Sequence, residues 1–259
     1  MNARMPALFV GHGSPMNAIE DNAFTRTWAE LAAKMPRPKA ILCVSAHWQT
    51  QGVSLTSSAQ PPTIHDFRGF PKPLFDLRYP APGHPQFAAQ LQSTLAMFRV
   101  KLDPERGLDH GAWSVLVKMY PQADVPVVQM SLDFTQKPTF HYNLGRMLAP
   151  FRDSGVLILA TGNIIHNLGL MNPQQVDAPA WARNVSTTVK KKIEQRDHRA
   201  LIDFEKLDPD IALAIPSAEH YLPLLYVLGA QGEHEAPAFF NDRVVMGAIS
   251  MTGVAVGAV

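Results

Sequence analysis

Four short apolar runs restrict what this chain can fold into. They cover residues 7–10, 39–45, 125–131 and 156–161, and stretches with helical periodicity lie between them. Ala40-Ile41-Leu42-Cys43-Val44 is apolar without a break. A strand reads this way when it lies in a parallel sheet covered on both faces. Strands alternating with helices give a sheet with helices packed on both sides. The expected architecture is therefore a single α/β domain over residues 1–259, with a central, mostly parallel or mixed β-sheet. A chain of 259 residues suits one large domain.

The intervening segments fit that plan. Helical spacing covers 23–33, 85–98, 113–120, 140–151, 178–194 and 222–228, and 244–256 reads as one or two strands broken at Gly247 and Gly253. Ser14-Pro15 looks like an N-cap followed by proline in a first turn. Residues 57–85 are rich in proline, glycine and aromatics and have no period. Long irregular loops of this kind tend to be lids or binding walls.

Three of the apolar runs lead into a histidine. His12 sits in Gly11-His12-Gly13, His47 in Ser45-Ala46-His47-Trp48, and His166 in Gly162-Asn163-Ile164-Ile165-His166-Asn167. Two more occupy turn-like settings, His110 in Asp109-His110-Gly111 and His220 in Glu219-His220-Tyr221. Open α/β sheets build their sites where strands end, so residues far apart in sequence can meet there. Imidazole is the commonest metal ligand and the usual acid/base near neutral pH. The pattern predicts a histidine-rich metal site. His110 is expected to be an acid/base, its ring oriented by Asp109. Asn163 and Asn167 are candidates to hold the His166 ring or a substrate. His220 is preferred to Glu219 as a ligand, because neighbouring helical residues point about 100° apart. His65 and Phe67, in the 57–85 loop, are candidate substrate contacts.

Other functional classes lose ground. The net charge is +1, and Lys190-Lys191-Lys192 is the sole cationic run, so nucleic acid is not an expected partner. The single cysteine, Cys43, lies inside an apolar run, where it serves as a small buried hydrophobe. Asn184-Val185-Ser186 fits a glycosylation pattern, but no signal-peptide core or membrane-length stretch accompanies it. A cytoplasmic enzyme without membrane partners is the expectation. HExxH, paired CxxC, GxSxG and P-loop patterns are absent from the sequence.

Several segments in order resemble one family. Gly11-His12-Gly13-Ser14-Pro15, Ser45-Ala46-His47-Trp48, Pro62-Thr63-Ile64-His65-Asp66-Phe67, Tyr79-Pro80-Ala81-Pro82-Gly83, Leu108-Asp109-His110-Gly111, Gly162-Asn163-Ile164-Ile165-His166-Asn167 and Glu219-His220-Tyr221-Leu222-Pro223-Leu224 are similar to motifs of the class III extradiol ring-cleaving dioxygenases. The nearest type is the 4,5-DOPA dioxygenase extradiol type. The resemblance runs from about residue 5 to the C-terminus. It implies one divalent metal ion per chain, Zn(2+) or Fe(2+), with a small DOPA-like catechol and O2 as substrates. It puts His12, His47 and His220 on metal-ligand positions and His110 on a catalytic position. His166 falls on a position that is a ligand in zinc-bound members and an acid/base elsewhere. Iron(II) with few protein ligands keeps open positions. Four histidines closing a tetrahedron would suit zinc and a hydrolase instead. A metal-binding protein without turnover is the third reading.

Overall fold

The computed structural model describes residues 4–259. Its centre is an eight-stranded mixed sheet. In chain order the elements begin with β1 (Ala7–Gly11), α1 (Ala23–Lys34), β2 (Ala40–Thr50) and β3 (Ser54–Thr56). There follow α2 (Lys72–Asp76), α3 (Pro85–Thr94), β4 (Lys101–Asp103), α4 (His110–Met119), β5 (Val127–Asp133) and α5 (Pro138–Leu148). Next come β6 (Val156–Gly162), α6 (Ala180–Glu194), α7 (His198–Ile202), α8 (Ile211–Ala214) and α9 (Leu222–Gly229). The chain closes with β7 (Pro237–Phe240), β8 (Val244–Val245), β9 (Ile249–Ser250) and β10 (Gly253–Val256).

The sheet order is β4-β3-β5-β2-β6-β1-β10-β7. The four runs read from the sequence form its parallel centre, β5-β2-β6-β1. Their side chains alternate between two cores, as strand geometry requires. Leu8, Val10, Ile41, Cys43, Leu157 and Leu159 pack with Trp28 of α1 and Trp113 of α4. Phe9, Leu42, Val44, Ile158 and Ala160 pack with residues of α3, α5, α6 and α9 on the other face. Burial on both faces is what made these runs mostly apolar, and the buried Gln129 and Ser131 of β5 are hydrogen-bonded instead.

The antiparallel edges were not legible in this way. β3 and β4 have three residues each, too short to carry a period. β7 begins at Pro237 and lies at the sheet's edge, where a residue without an N–H is tolerated. Of residues 244–256, β8 and β9 pair as a separate hairpin around Gly247 (φ +69°), and β10 joins the main sheet beside β1. The expected helix at 113–120 begins earlier, at His110, because the Asp109 side chain caps it by accepting from the Ala112 N–H. Within 57–85, α2 interrupts an otherwise irregular course.

Candidate metal centre and active site

Register brings the strand ends together. Gly11 of β1 lies opposite Gly162 of β6, and Ser45 of β2 opposite Thr161. The residues that follow therefore emerge at one level. His12 is fixed there by its N–H, which donates to the Gly162 carbonyl at 3.1 Å. His47 reaches the site through an irregularity inside β2. Between Val44 and Gln49, β2 advances five residues while β5 advances two, from Met130 to Leu132. Such bulges re-aim side chains. His47 thus lies within the strand rather than after it.

The His220 segment docks onto the end of β6. The Asn163 N–H donates to the His220 carbonyl at 2.9 Å. A Cβ on Gly162 would run into that carbonyl oxygen, so only glycine permits the approach. Gly111 does the same for α4, since its Cβ would lie 2.5 Å from Ser45 Oγ and 2.8 Å from His47 Cδ2.

The result is a cluster of five imidazoles. His12 Nε2 and His47 Nε2 are 3.0 Å apart. The His220 ring lies 5.4 Å from that of His12 and 4.9 Å from that of His47, centre to centre. One nitrogen from each of the three falls within 4.8 Å of the others. His166 stacks on His220, with ring centres 3.5 Å apart and planes 8° from parallel. It shares a potential ligand group with Glu219 and His220 rather than with His12 and His47. His110 packs beside His47 at 3.9 Å between centres.

The donor set fits a divalent ion. Two ligands on one ion with bonds of about 2.1 Å lie roughly 3.0–3.4 Å apart, which the His12–His47 separation matches. His220 Nε2 is buried and has no partner, while its Nδ1 is hydrogen-bonded to Glu219 Oε1 at 3.1 Å. A carboxylate on the far nitrogen is the usual way to orient a metal-binding imidazole. The rings are also kept neutral, as ligands must be. Burial, and then the neighbouring histidines, push His12 and His47 well below the usual range. Burial lowers His220 against the opposing pull of Glu219. His166 is lowered to about 3 by burial and by His220. Burial works to raise Glu219, but hydrogen bonds, led by that to His220, outweigh it and hold the carboxyl at about 2.

His110 has a separate carboxylate partner, and it is not Asp109. Asp66 Oδ1 accepts from both the His110 backbone N–H, at 3.0 Å, and Nδ1, at 2.9 Å. Burial opposes this ionisation, yet the bonds to His110 bring the Asp66 carboxyl down to about 2. The expected Asp109–His110 pairing is corrected because capping uses Asp109 otherwise. Its carboxylate accepts from Ala112 N, Ser45 Oγ and Gln129 Nε2. Ser45 Oγ in turn accepts from the His47 N–H at 3.2 Å. Asp109 thereby ties the β2 bulge to the start of α4. Asp66 was missed in the sequence because its partner lies 44 residues away. The available signal was a carboxylate between two candidate contacts, His65 and Phe67.

Asn163 and Asn167 also differ from expectation. Their side-chain amides donate to the backbone carbonyls of Ser250 and Leu213, so they brace the loop rather than the His166 ring. His65 stands behind the site. Its Nε2 is 3.0 Å from the Leu77 carbonyl, and its ring packs against Phe67, Phe75 and Trp113. Phe67 does face the cavity. That cavity measures about 530 Å³, and His12, His47, His110, His166 and His220 form its polar floor. Phe67, Phe70, Leu168, Met171, Met246 and Ile249 form an apolar mouth. The volume suits a small organic ligand. Among the described residues, no helix is long and apolar enough to cross a membrane.

Known proteins are similar to this chain. A family model for the catalytic LigB subunit of aromatic ring-opening dioxygenase matches residues 6–257. The chain is 46% identical to a 4,5-DOPA dioxygenase extradiol of Escherichia coli (strain K12), over 99% of this chain and 96% of that one. It is 39% identical to a 4,5-DOPA dioxygenase extradiol of Beta vulgaris, over 90% of each. A crystal structure of an uncharacterized protein from Escherichia coli K12 aligns with a TM-score of 0.87 and 41% identity, covering 98% of this chain and 100% of that one.

Proposed function

The chain belongs to the LigB family of aromatic ring-opening dioxygenases, and from that membership we propose that it is a metal-dependent extradiol dioxygenase that opens the ring of a small catechol with O2. Residues 1–259 act as one catalytic domain. The observation that carries this reading is the pairing of two arrangements side by side. One is the group of neutral nitrogens from His12, His47 and His220, and the other is the His110–Asp66 dyad.

In this reading His12, His47 and His220 hold one divalent ion, iron(II) for turnover, with Glu219 fixing the His220 ring. When bound, the ion supplies open positions at which both catechol oxygens and O2 are brought together. The Asp66 carboxylate accepts a hydrogen bond and cannot donate one, so the His110 proton sits on Nδ1. That leaves His110 Nε2 as the nitrogen through which the ring exchanges a proton with the catechol. It takes a catechol hydroxyl proton and later returns it. His166, stacked outside His220 and facing the cavity, is a second neutral imidazole available to the bound catechol. The four-histidine tetrahedron that would favour a zinc hydrolase gains no support from this placement.

The experiment is metal reconstitution without air, followed by addition of catechol and oxygen. Iron-loaded protein should consume one O2 per catechol, and zinc-loaded protein none. Oxygen uptake that is absent with iron, or equal with zinc, would sink the proposal.

A further inference from the structure

The apolar mouth of the cavity carries one carboxylate. Phe67, Phe70, Leu168, Met171, Met246 and Ile249 form its wall, and the charged side chain that joins them is Glu219. Among the described residues, no lysine or arginine lines the cavity. Glu219 is also only partly used by its own neighbours. His220 Nδ1 and the Ser217 hydroxyl both meet Oε1, at 3.1 and 2.9 Å. Oε2 makes no side-chain bond among the described residues, and the Glu219 side chain stays 20% accessible. An ammonium entering an apolar mouth loses water, and a carboxylate partner offsets that loss. Hydrogen bonds between ionised groups are also roughly twice as strong as neutral ones. His220 stands between Glu219 and the proposed ion, so the carboxylate lies one ring's width out from that ion. The side chain of a chelated catechol likewise begins one ring's width from its hydroxyls.

We propose that Glu219 Oε2 recognises an ammonium on the catechol's side chain, so that the cavity selects ammonium-bearing catechols, DOPA among them. The inference rests on the ring-opening reading above for the placement of the ring, and it names the group that sets the substrate class. A carboxylate on the same side chain finds no lysine or arginine at the mouth. It stays in water at the open rim, where Leu168 and Met171 are 63% and 39% accessible. Recognition thus falls on the ammonium, and an ammonium without a carboxylate suffices.

The test uses two matched pairs of ligands on zinc-loaded protein, in which binding is read without turnover. Dissociation constants are measured without oxygen, by calorimetry. DOPA is compared with 3-(3,4-dihydroxyphenyl)propanoate, and dopamine with 4-ethylcatechol. Each pair differs in the ammonium alone, so the cost of the carboxylate cancels. The ammonium should tighten binding roughly tenfold in both pairs, between the effect of an exposed ion pair and that of a buried charged hydrogen bond. Salt at about 1 M, where the screening length is about 3 Å, should shrink the gain. Glu219→Gln keeps an oxygen for His220 and loses the charge. With zinc in excess, so that weaker metal binding does not enter, both ratios should fall close to one. Ratios near one in the parent, or ratios that survive in Glu219→Gln, overturn the assignment. Should the variant not fold, a parent ratio that high salt leaves unchanged overturns it instead. The same four compounds are then given to iron-loaded protein in air. If none supports oxygen uptake while the binding ratios hold, the ring-opening reading falls and the recognition of the ammonium stands.

Discussion

At the scale of single residues, the two carboxylate–histidine pairs separate into different jobs that measurement can tell apart. Glu219 acts on His220, so Glu219→Gln should weaken metal binding about 10–100-fold, the usual effect of losing such a partner. A chelator competition reads this directly, and unchanged affinity would remove Glu219 from the centre. Asp66 acts on His110, which lies outside the three-nitrogen group. His110→Ala should therefore keep its metal and still bind catechol, while turnover falls roughly 10²–10⁴-fold. Asp66→Asn should lower kcat with little change in KM or in bound metal, because an amide no longer fixes the proton on Nδ1. Loss of metal from His110→Ala would instead make His110 a ligand, and full oxygen uptake would make it a bystander. These two carboxylates were not equally readable from the sequence. Glu219 is adjacent to its histidine. Asp66 meets His110 only because a loop without periodicity docks on α4, and no local pattern encodes that docking.

Whole elements set the precision of the site through two joints. One is the contact of β6 with the His220 turn, where the Gly162 hydrogens face a carbonyl. Gly162→Ala should lift the turn, lower metal affinity and destabilise the fold by about 1–3 kcal/mol, the usual cost of overpacking. Denaturant melts with and without metal check both effects, and a variant of normal stability and affinity would show the joint to be slack. The other is the seam of α5 with α9, the helix that follows His220. There His141 is buried and its Nδ1 lies 3.0 Å from the Tyr226 hydroxyl. Burial lowers His141 to about 4 from the usual 6.5, with Asp133 opposing. As pH falls below 6.5 the unfolded chain takes up a proton that the folded one refuses, so stability declines. The decline levels off below about pH 4, when the folded state binds the proton too. That gap corresponds to on the order of 3 kcal/mol. His141→Gln, which keeps a partner for Tyr226, should flatten this part of the stability–pH curve of the metal-free protein. Parallel curves for both proteins would exclude His141. The strands that carry the site were legible because burial on both faces makes them mostly apolar. The β2 bulge and the early start of α4 were not, because Asp109 and Ser45 set them through contacts between distant segments.

Across the whole molecule, the three proposed ligands come from the first strand's end, the second strand, and the turn before α9. They lie between residues 12 and 220 of 259, so no short fragment contains the centre. β10 returns from the far end of the sequence to pair with β1, and this also ties the start of the chain to its end. The two cores share one sheet, with Leu8 and Phe9 of the same strand on opposite sides. A ligand that binds only when His12, His47 and His220 are assembled must therefore stabilise the entire fold. Free metal at about 100 times its dissociation constant should add roughly 2.7 kcal/mol to the unfolding free energy. For a domain of this size that is a rise of about 5–10 °C in Tm. The rise should appear as one displaced transition, recorded alike by calorimetry, far-ultraviolet dichroism and tryptophan fluorescence. A chelator should reverse it. His220→Ala should abolish most of it, measured against the variant's own metal-free Tm, because the substitution also removes the bond to Glu219 and the stack on His166. Two separate transitions, with metal moving only one, would show that the halves of the sheet unfold independently. A shift that survives in His220→Ala would place the ion elsewhere.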